Sequence, residues 1–428
     1  MECEPLGNVA VCRAGAIKIR FVNNSLVSAR APEYAIVKRS SMRIDAVETP
    51  IIPTIAALVR AQPGTISLGQ GVVSYGPPEP LLAAIPKLMA DTSLHRYQAV
   101  GGIAPLVSAL AEKLSRENGI ELEPDSAIAV TAGSNMAFLN AVFAVADPGD
   151  EFILPRPYYF NQEMAIRTAG CVPVSVPTRS DYQLDLDAIA AGIGPRTRAI
   201  VTVSPNNPSG AVYPEADLRA VNRLCADRGL YHFSDEAYEY FVYGKARHFS
   251  PASIPGAQAH TLSFYSFSKN YGLASWRVGY VAYPADLRPA MEKVQDTNLI
   301  CAPVVSQLIA LEALKLGRDW VSPRIEALAR VRQSVHAKLS RLGDLATFPE
   351  TEGAFYVLMN LPGVEDPLAF SRAMVERHRV ATIPGFAFGL ADTRRVNAQR
   401  LAYGALDPDT VGEGVDRFVD AVRDWYGG

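Results

Sequence analysis

The chain has 428 residues, of which 49% are hydrophobic, and a formal net charge of −3. This nearly balanced charge argues against a partner such as nucleic acid or an acidic membrane surface. The length exceeds what one core organises and predicts roughly two to three domains. No apolar run in the sequence is long enough to span a bilayer.

Residues 1–41 differ in character from the rest of the chain. They carry six basic residues against three acidic ones, which partly resembles a transit peptide. The segment has no clear amphipathic face, however, and it contains the strand-like run AIKIRFV. Ordinary globular sequence begins near Met42. We therefore predict an N-terminal extension over 1–41 that is either disordered or the product of an upstream start.

From Ala127 onward, short apolar runs alternate with helical patterns, of which PEADLRAVNRLCADRG is one. Seven such runs, each followed by turn residues, are predicted strands: AIAVTAG, EFILP, CVPVSVPT, AIVTVSP, YHFSDEA, TLSFYS and VGYVAYP. Strands that alternate with helices predict an α/β fold with a mostly parallel sheet flanked by helices on both faces.

After about Ala302 helical patterns dominate, in VVSQLIALEALKLG and then SPRIEALARVRQSVHAKLSRL. A mixed segment and a last helical run follow. We predict a large domain over residues 93–301. A smaller α+β domain is formed by segments from both chain ends. Its N-terminal part is residues 42–92, and residues 302–428 contain linking helices followed by its C-terminal part.

The five cysteines are odd in number, scattered, and form no CxxC pair. They are Cys3, Cys12, Cys171, Cys225 and Cys301. This usage is typical of a reducing compartment rather than of a disulfide framework. We therefore predict a cytoplasmic protein.

Two motif matches fail. LGQGVVS has Ser74 where the dinucleotide fingerprint GxGxxG requires its third glycine. SFSK matches the SxxK of penicillin-binding hydrolases, but the chain has SDE in place of the SDN partner and has no KTG. Neither a Rossmann dinucleotide site nor this class of serine hydrolase is favoured.

Four polar stretches follow predicted strands at their carboxyl ends, where open α/β sheets bind ligands. TAGSNMAF begins a helix whose free N–H groups suit a phosphate. SPNNPSG is rich in turn residues, SDEAYEY puts Asp235 directly after a strand, and SFSKNYGLASWRVG supplies Lys269. Taken singly, each has a structural explanation as a turn, a plain loop or a helix cap.

In combination these stretches offer the groups that pyridoxal 5'-phosphate requires. A lysine amine forms a Schiff base with the cofactor's aldehyde. A carboxylate keeps the pyridine nitrogen protonated, so that the ring accepts electrons. Hydroxyls and a guanidinium hold the phosphate. The sequence therefore predicts a pyridoxal 5'-phosphate site, and no motif in it predicts a metal.

From LGQG near position 70 to QRLAYG near position 400, the chain resembles the fold-type-I, class I/II aminotransferases of the aspartate aminotransferase superfamily. The resemblance implies that Lys269 forms the Schiff base and shuttles a proton. It implies that Asp235 pairs with the pyridinium nitrogen. Tyr238 and Asn207 match the pair that hydrogen-bonds the ring hydroxyl, and Tyr159 matches the aromatic residue that stacks on the ring.

The resemblance also implies a phosphate shell and a dimer. The residues that match the shell are Gly133, Ser134, Asn135, Ser266, Ser268 and Arg277. Tyr97 matches a tyrosine that reaches the phosphate of the neighbouring subunit. A homodimer with shared active sites is therefore expected.

For the substrate, the resemblance implies that Arg400 clamps the α-carboxylate and that the backbone approaches it closely at Gly71. Asn207 lies beside the substrate as well, and Tyr75 is expected near its side chain. The run VVSYGPP departs from the family's usual sequence, and QDTNLICAP offers no second arginine of the kind that dicarboxylate-specific members use. A neutral, aromatic or less usual amino acid is therefore as compatible as aspartate or glutamate.

We predict a transaminase of the EC 2.6.1 type that moves an amino group from an L-amino acid to a 2-oxo acid by a ping-pong mechanism. The alternative is another pyridoxal phosphate reaction on the same scaffold, carried out by a β-lyase, an oxidase or a cyclase. A non-catalytic regulator is disfavoured because no helix-turn-helix or long basic stretch precedes the domain.

Overall fold

The structure is a computed structural model that describes residues 2–6, 9–14, 17–22, 40–122, 126–391 and 397–427. Residues 1–42 form one compact unit and residues 43–428 form a second. In the first unit, β1 (Glu2–Leu6), β2 (Val9–Ala14) and β3 (Ile17–Val22) form an antiparallel sheet in that order. The strand-like run AIKIRFV is thus confirmed as β3. Residues 23–39 of the predicted extension lie outside the described residues, and the nature of the extension stays a prediction.

The other strands are β4 (Ile66–Ser67), β5 (Ser126–Thr131), β6 (Glu151–Arg156), β7 (Val172–Pro177), β8 (Thr197–Val203), β9 (Tyr231–Asp235), β10 (Thr261–Ser266), β11 (Gly279–Pro284), β12 (Tyr356–Asn360), β13 (Val380–Ala381), β14 (Ile383–Pro384) and β15 (Ala398–Ala402). The helices are α1 (Met42–Asp45), α2 (Ile51–Ala61), α3 (Glu79–Leu88), α4 (Ala104–Lys113), α5 (Ser134–Val145), α6 (Phe160–Thr168), α7 (Leu186–Ala191), α8 (Glu215–Arg228), α9 (Phe267–Asn270), α10 (Arg288–Asn298), α11 (Val304–Leu339), α12 (Pro367–Ala373) and α13 (Pro408–Gly427). Within the described ranges, no helix combines the length and the apolarity needed to cross a membrane.

Among the described residues, seven strands form the central sheet in the order β5-β11-β10-β9-β8-β6-β7. The pairs from β10 through β7 are parallel, whereas β11 runs antiparallel to both β10 and β5. These are the seven strands that the sequence predicts. Since β5 runs in the same direction as β10, the carboxyl ends of six strands lie at one edge of the sheet.

Successive residues of a strand point to opposite sides of a sheet, so the apolar residues of the central strands face both sides. Helices accordingly cover both faces of this sheet. On one face, the ring of Phe138 in α5 lies 5.5 Å from the rings of Phe233 and Phe264. On the other face, Ile200 belongs to a core that includes the buried face of α8. The predicted mostly parallel sheet with flanking helices is confirmed.

Segments from both chain ends come together outside the central sheet. Strand β4 pairs in parallel with β13, and β12, β15 and β14 form an antiparallel sheet. Gly317, with φ 56° and ψ −153°, divides α11 into the two helical runs that the sequence predicts. The predicted domain boundaries at residues 92/93 and 301/302 stay predictions.

Candidate active site

A cavity of about 380 Å³ lies at the carboxyl edge of the central sheet. Each of five strands contributes a residue at or just after its carboxyl end. Strand by strand from β5, these are Ser134, Tyr159 after β6, Asn207 after β8, Asp235 in β9 and Lys269 after β10. The volume is that of an ordinary small-ligand pocket. The carboxyl-edge location predicted for the polar stretches is therefore observed.

Asp235 is the last residue of β9, and its carboxylate is buried. It accepts hydrogen bonds from Gln162 Nε2 at 2.7 Å and from the backbone N–H of Ala237 at 3.1 Å. Burial nevertheless raises the pKa of Asp235 to about 6. The two hydrogen bonds therefore do not offset desolvation fully, and a cationic ligand group beside this carboxylate would stabilise its ionised form.

Lys269 lies in the short helix α9 with its amine facing the cavity. Its Nζ donates a hydrogen bond to the carbonyl oxygen of Gly71. Burial, followed by the positive charges of Arg400 and Arg277, lowers the pKa of Lys269 to about 8. The amine is therefore much closer to its neutral, nucleophilic form at physiological pH than an exposed lysine is.

Tyr238 lies three residues after Asp235 and lines the same cavity. Its hydroxyl oxygen accepts a hydrogen bond from Asn207 Nδ2 at 3.4 Å and lies 2.6 Å from the hydroxyl oxygen of Tyr356. Burial raises the pKa of Tyr238 well above its usual value. The hydroxyl therefore stays protonated and can act as a donor in the cavity.

Tyr159 begins the turn into α6 and also lines the cavity. Its hydroxyl accepts a hydrogen bond from Asn161 Nδ2 at 2.8 Å and a longer one from Asn135 Nδ2 at 3.5 Å. Burial raises the pKa of Tyr159. The ring is thus held at its polar tip and offers a flat apolar face to the cavity.

The other end of the cavity carries groups that suit an anion. Ser134 begins α5, Ser266 and Ser268 flank the start of α9, and Arg277 lines the same space. Gly133 caps α5 with φ +84°, and a Cβ there would collide with the guanidinium of Arg277. Glycine therefore lets the helix N-terminus and the guanidinium approach each other. Together with the hydroxyls, they form a potential phosphate cradle.

Arg400 in β15 is only 2% exposed. Its Nη1 donates to Asn207 Oδ1 at 2.9 Å and its Nη2 to the carbonyl of Gly69 at 2.7 Å. The guanidinium carbon lies 4.7 Å from the ring centroid of Tyr356 and 5.0 Å from that of Phe388. Its buried Nε has no hydrogen-bond partner among the described residues. Arg400 lines the cavity, and its planar guanidinium matches the geometry of a carboxylate ligand.

Three predicted residues, Gly133, Tyr75 and Tyr97, do not line the cavity of this single chain. Tyr97 is 80% exposed. Tyr75 donates its hydroxyl to the backbone carbonyl of Lys269 at 2.8 Å, and its ring packs edge-on against Trp320 at 5.5 Å. Val72, by contrast, lines the cavity.

Sequence reasoning missed several lining or supporting residues. Gln162 and Asn161 lie in the first turn of α6, just after Tyr159 in the sequence. Their nearness to Tyr159 in the chain was a signal that they lie at the same site. Tyr356 had no such local signal. It reaches the cavity because β12 pairs with β15, the strand that carries Arg400.

The comparisons with known proteins agree with this geometry. The family model "Aminotransferase class I and II" matches residues 63–418. A probable aspartate/prephenate aminotransferase of Aquifex aeolicus is 35% identical over 84% of this chain and 91% of its own length. The aromatic aminotransferase ISS1 of Arabidopsis thaliana is 34% identical over 83% of this chain and 91% of its own length.

Solved structures give the same result. A mutant aspartate aminotransferase of Thermus thermophilus superposes with a TM-score of 0.82 at 32% identity and covers 90% of this chain and all of its own. An aromatic aminotransferase of Pyrococcus horikoshii superposes with a TM-score of 0.79 at 32% sequence identity. The superposition covers 87% of this chain and 99% of that protein's chain. These likenesses favour amino-group transfer over the alternative pyridoxal phosphate reactions. The chain therefore belongs to the class I and II aminotransferases and is a transaminase.

Proposed function

We propose that the cavity binds pyridoxal 5'-phosphate, the cofactor of this family, with its phosphate at the anion-binding end and its aldehyde at Lys269. Two features of the cavity fit this cofactor. One end offers a helix N-terminus, hydroxyls and a guanidinium. The other end holds a buried lysine whose pKa is lowered to about 8 and a buried aspartate whose pKa is raised to about 6. The convergence of these groups in one cavity carries the proposal, and the opposite pKa shifts support it.

When bound, the cofactor supplies an aldehyde that condenses with amines and a ring that stabilises negative charge at the carbon next to the amine. Lys269 holds the aldehyde between turnovers. With substrate bound, the amine of Lys269 would act as the base for the proton on the substrate α-carbon. Asp235 keeps a proton on the ring nitrogen, and that positive charge in turn stabilises the buried carboxylate.

The remaining groups bind and orient. Tyr238 and Asn207 hold the ring oxygen by hydrogen bonds, and Tyr159 covers one face of the ring. The phosphate is held by the helix N-terminus and the side chains around it. In sequence order the residues of this shell are Gly133, Ser134, Asn135, Ser266, Ser268 and Arg277.

We infer that Arg400 binds the substrate α-carboxylate, with the backbone of Gly71 beside it. Part of the cavity wall is formed by Ile52, Val72 and Phe160, which are apolar. Such a wall favours an amino acid with an apolar or aromatic side chain over a dicarboxylate. The relatives' names include both kinds, an aromatic aminotransferase in Arabidopsis and an aspartate/prephenate aminotransferase in Aquifex.

We further propose a cytoplasmic homodimer with shared active sites. The high exposure of Tyr97 supports the dimer, since a side chain that points away from its own chain is free to reach a neighbouring subunit. The cytoplasmic location rests on the scattered cysteines, of which Cys171, Cys225 and Cys301 are free thiols.

The proposal is tested by recording the absorbance of the holoenzyme while single amino acids are added without any 2-oxo acid. We expect phenylalanine or another apolar amino acid to abolish the visible band and to release one equivalent of its 2-oxo acid. Aspartate and glutamate, at equal concentration, serve as the comparison. Release of ammonia, or uptake of oxygen, would instead indicate an elimination or an oxidation. A response to aspartate alone would contradict the proposed substrate class.

A further inference from the structure

Tyr356 is a fully buried tyrosine of β12 that lines the cavity beside Tyr238 and Arg400. Its hydroxyl oxygen is 2.6 Å from that of Tyr238, and its ring lies 4.7 Å from the guanidinium carbon of Arg400. A Cβ on Gly71 would lie 2.7 Å from the Tyr356 hydroxyl. The absence of a side chain at residue 71 therefore leaves the space that this hydroxyl occupies.

The direction of the hydrogen bond between Asn207 and Tyr238 follows from Arg400. A guanidinium only donates, so the Arg400 contact requires Asn207 to face it with Oδ1. The amide nitrogen of Asn207 then points to Tyr238 and donates to its hydroxyl oxygen. The orientation of the Asn207 amide is thus determined by its partners on both sides.

The hydroxyl pair of Tyr238 and Tyr356 has two possible directions. Tyr238 has a single hydroxyl proton, and in the proposed function that proton goes to the ring oxygen of the cofactor. With Tyr238 donating there, the 2.6 Å contact between the two hydroxyl oxygens requires Tyr356 to donate. If Tyr356 donates, the Tyr238 oxygen accepts two hydrogen bonds, and its own proton is left to point into the cavity that it lines.

We propose that Tyr356 is a positioning residue that directs the Tyr238 proton into the cavity while its ring supports the Arg400 guanidinium. The inference rests on the proposed function, in which Tyr238 donates to the ring oxygen of pyridoxal phosphate. Donation from Tyr356 polarises the Tyr238 hydroxyl and strengthens that second hydrogen bond. The titratable or charged groups facing the tyrosine pair are Arg400, Tyr159, Lys269 and Asp235.

The two contacts of Tyr356 are separable by substitution. Tyr356→Phe removes the hydroxyl and keeps the ring under Arg400, whereas Tyr356→Leu removes both. Tyr182→Phe is the matched control, because its buried hydroxyl donates to the carbonyl of Leu358 at 3.3 Å and does not line the cavity. For each holoenzyme we would titrate the visible absorbance of the cofactor against pH, and measure KM and kcat for the best amino acid.

We expect Tyr356→Phe to move the midpoint of the absorbance titration upward by roughly half a pH unit, because the negative ring oxygen loses part of its stabilisation. Its KM stays within about twofold of the native value, whereas Tyr356→Leu raises KM by about tenfold through loss of the ring beneath Arg400. The titration of Tyr182→Phe matches that of the native enzyme.

An unchanged or lowered midpoint in Tyr356→Phe would overturn the inference while leaving the proposed function intact. An equal shift in Tyr182→Phe would also overturn it, since loss of any buried hydroxyl would then suffice. If the native protein itself showed no cofactor absorbance after reconstitution with pyridoxal phosphate, the proposed function would fail and this inference with it.

Discussion

The two ends of the cavity are built from different kinds of groups. At the anion-binding end, α5 offers backbone N–H groups, Ser266 and Ser268 offer hydroxyls, and Arg277 is an exposed guanidinium. At the opposite end, the ionisable side chains of Asp235 and Arg400 are buried and that of Lys269 is partly buried. The first end offers hydrogen-bond donors, whereas the second carries ionisable groups whose pKa values are shifted mainly by desolvation.

This difference predicts how each end responds to substitution. Donors that hold an anion bind it equally strongly in the ground state and in the transition state. Their loss therefore weakens cofactor affinity and leaves the rate of the chemical step nearly unchanged. Buried groups with shifted pKa values are poised to exchange protons, so their loss reduces the rate and changes its pH dependence. The first three predictions below concern the buried reactive pair, the fourth the substrate clamp and the last the anion-binding end.

The largest effect is expected at Lys269. In the proposed function, Lys269→Ala removes both the amine that holds the cofactor aldehyde and the base for the α-proton, so we expect kcat to fall by more than about 1000-fold. The anion-binding end is unchanged, so the variant still binds pyridoxal phosphate in an equilibrium titration. Turnover near the native rate would rule out the assignment of Lys269.

Asp235→Asn retains the size of the side chain but removes its charge. Without the carboxylate the ring nitrogen loses its proton and the cofactor stabilises negative charge less well, so we expect kcat to fall by about 100-fold or more at saturating cofactor. A steady-state assay with added cofactor measures this directly. A near-normal kcat would mean that another group protonates the ring.

The same substitution, which lowers kcat, is expected to raise the stability of the cofactor-free protein. The pKa of Asp235 is raised from 3.8 to about 6 in the folded state, so the free energy of unfolding falls as pH rises between these values. Above pH 6, cofactor-free Asp235→Asn should therefore be more stable than the native chain by about 3 kcal/mol. Urea unfolding at pH 4 and pH 7 tests this, since the two curves should nearly coincide at pH 4.

Arg400→Lys keeps a positive charge but loses the planar fork that matches a carboxylate. We expect KM for the amino acid to rise by roughly 10- to 100-fold, with little change in cofactor affinity. Arg332→Lys is the control, because Arg332 is also buried but lies outside the cavity lining. Equal increases in KM for both variants would argue against a carboxylate clamp.

The smallest effect is expected at the anion-binding end. Ser268→Ala removes one of several phosphate donors, so cofactor affinity should fall by about 5- to 10-fold while kcat at saturating cofactor stays near the native value. Ser263→Ala is the matched control, since that hydroxyl is buried in β10 and has no hydrogen-bond partner among the described residues. A large fall in kcat for Ser268→Ala would show that the two ends do not act separately.

The anion-binding end was the easier part to predict from sequence. A strand, a glycine and a helix start lie within a few residues in TAGSNMAF, and SFSK places two hydroxyls where β10 passes into α9. The reactive end was predicted less completely. Lys269, Asp235 and Arg400 were identified from their motifs, but Tyr356 and Gln162 were not, because their roles arise from contacts with residues far away in the chain.

The sequence by itself determined the seven strands of the central sheet and their following polar residues, because hydrophobic period and turn chemistry act over short stretches of chain. Only the tertiary structure decided the protonation of those residues. The pKa values of Lys269 and Asp235 are shifted mainly by burial, which is produced by segments that approach from both chain ends, such as Gly71 and Arg400. Desolvation depends on all the atoms around a group, and no local pattern in the sequence records them.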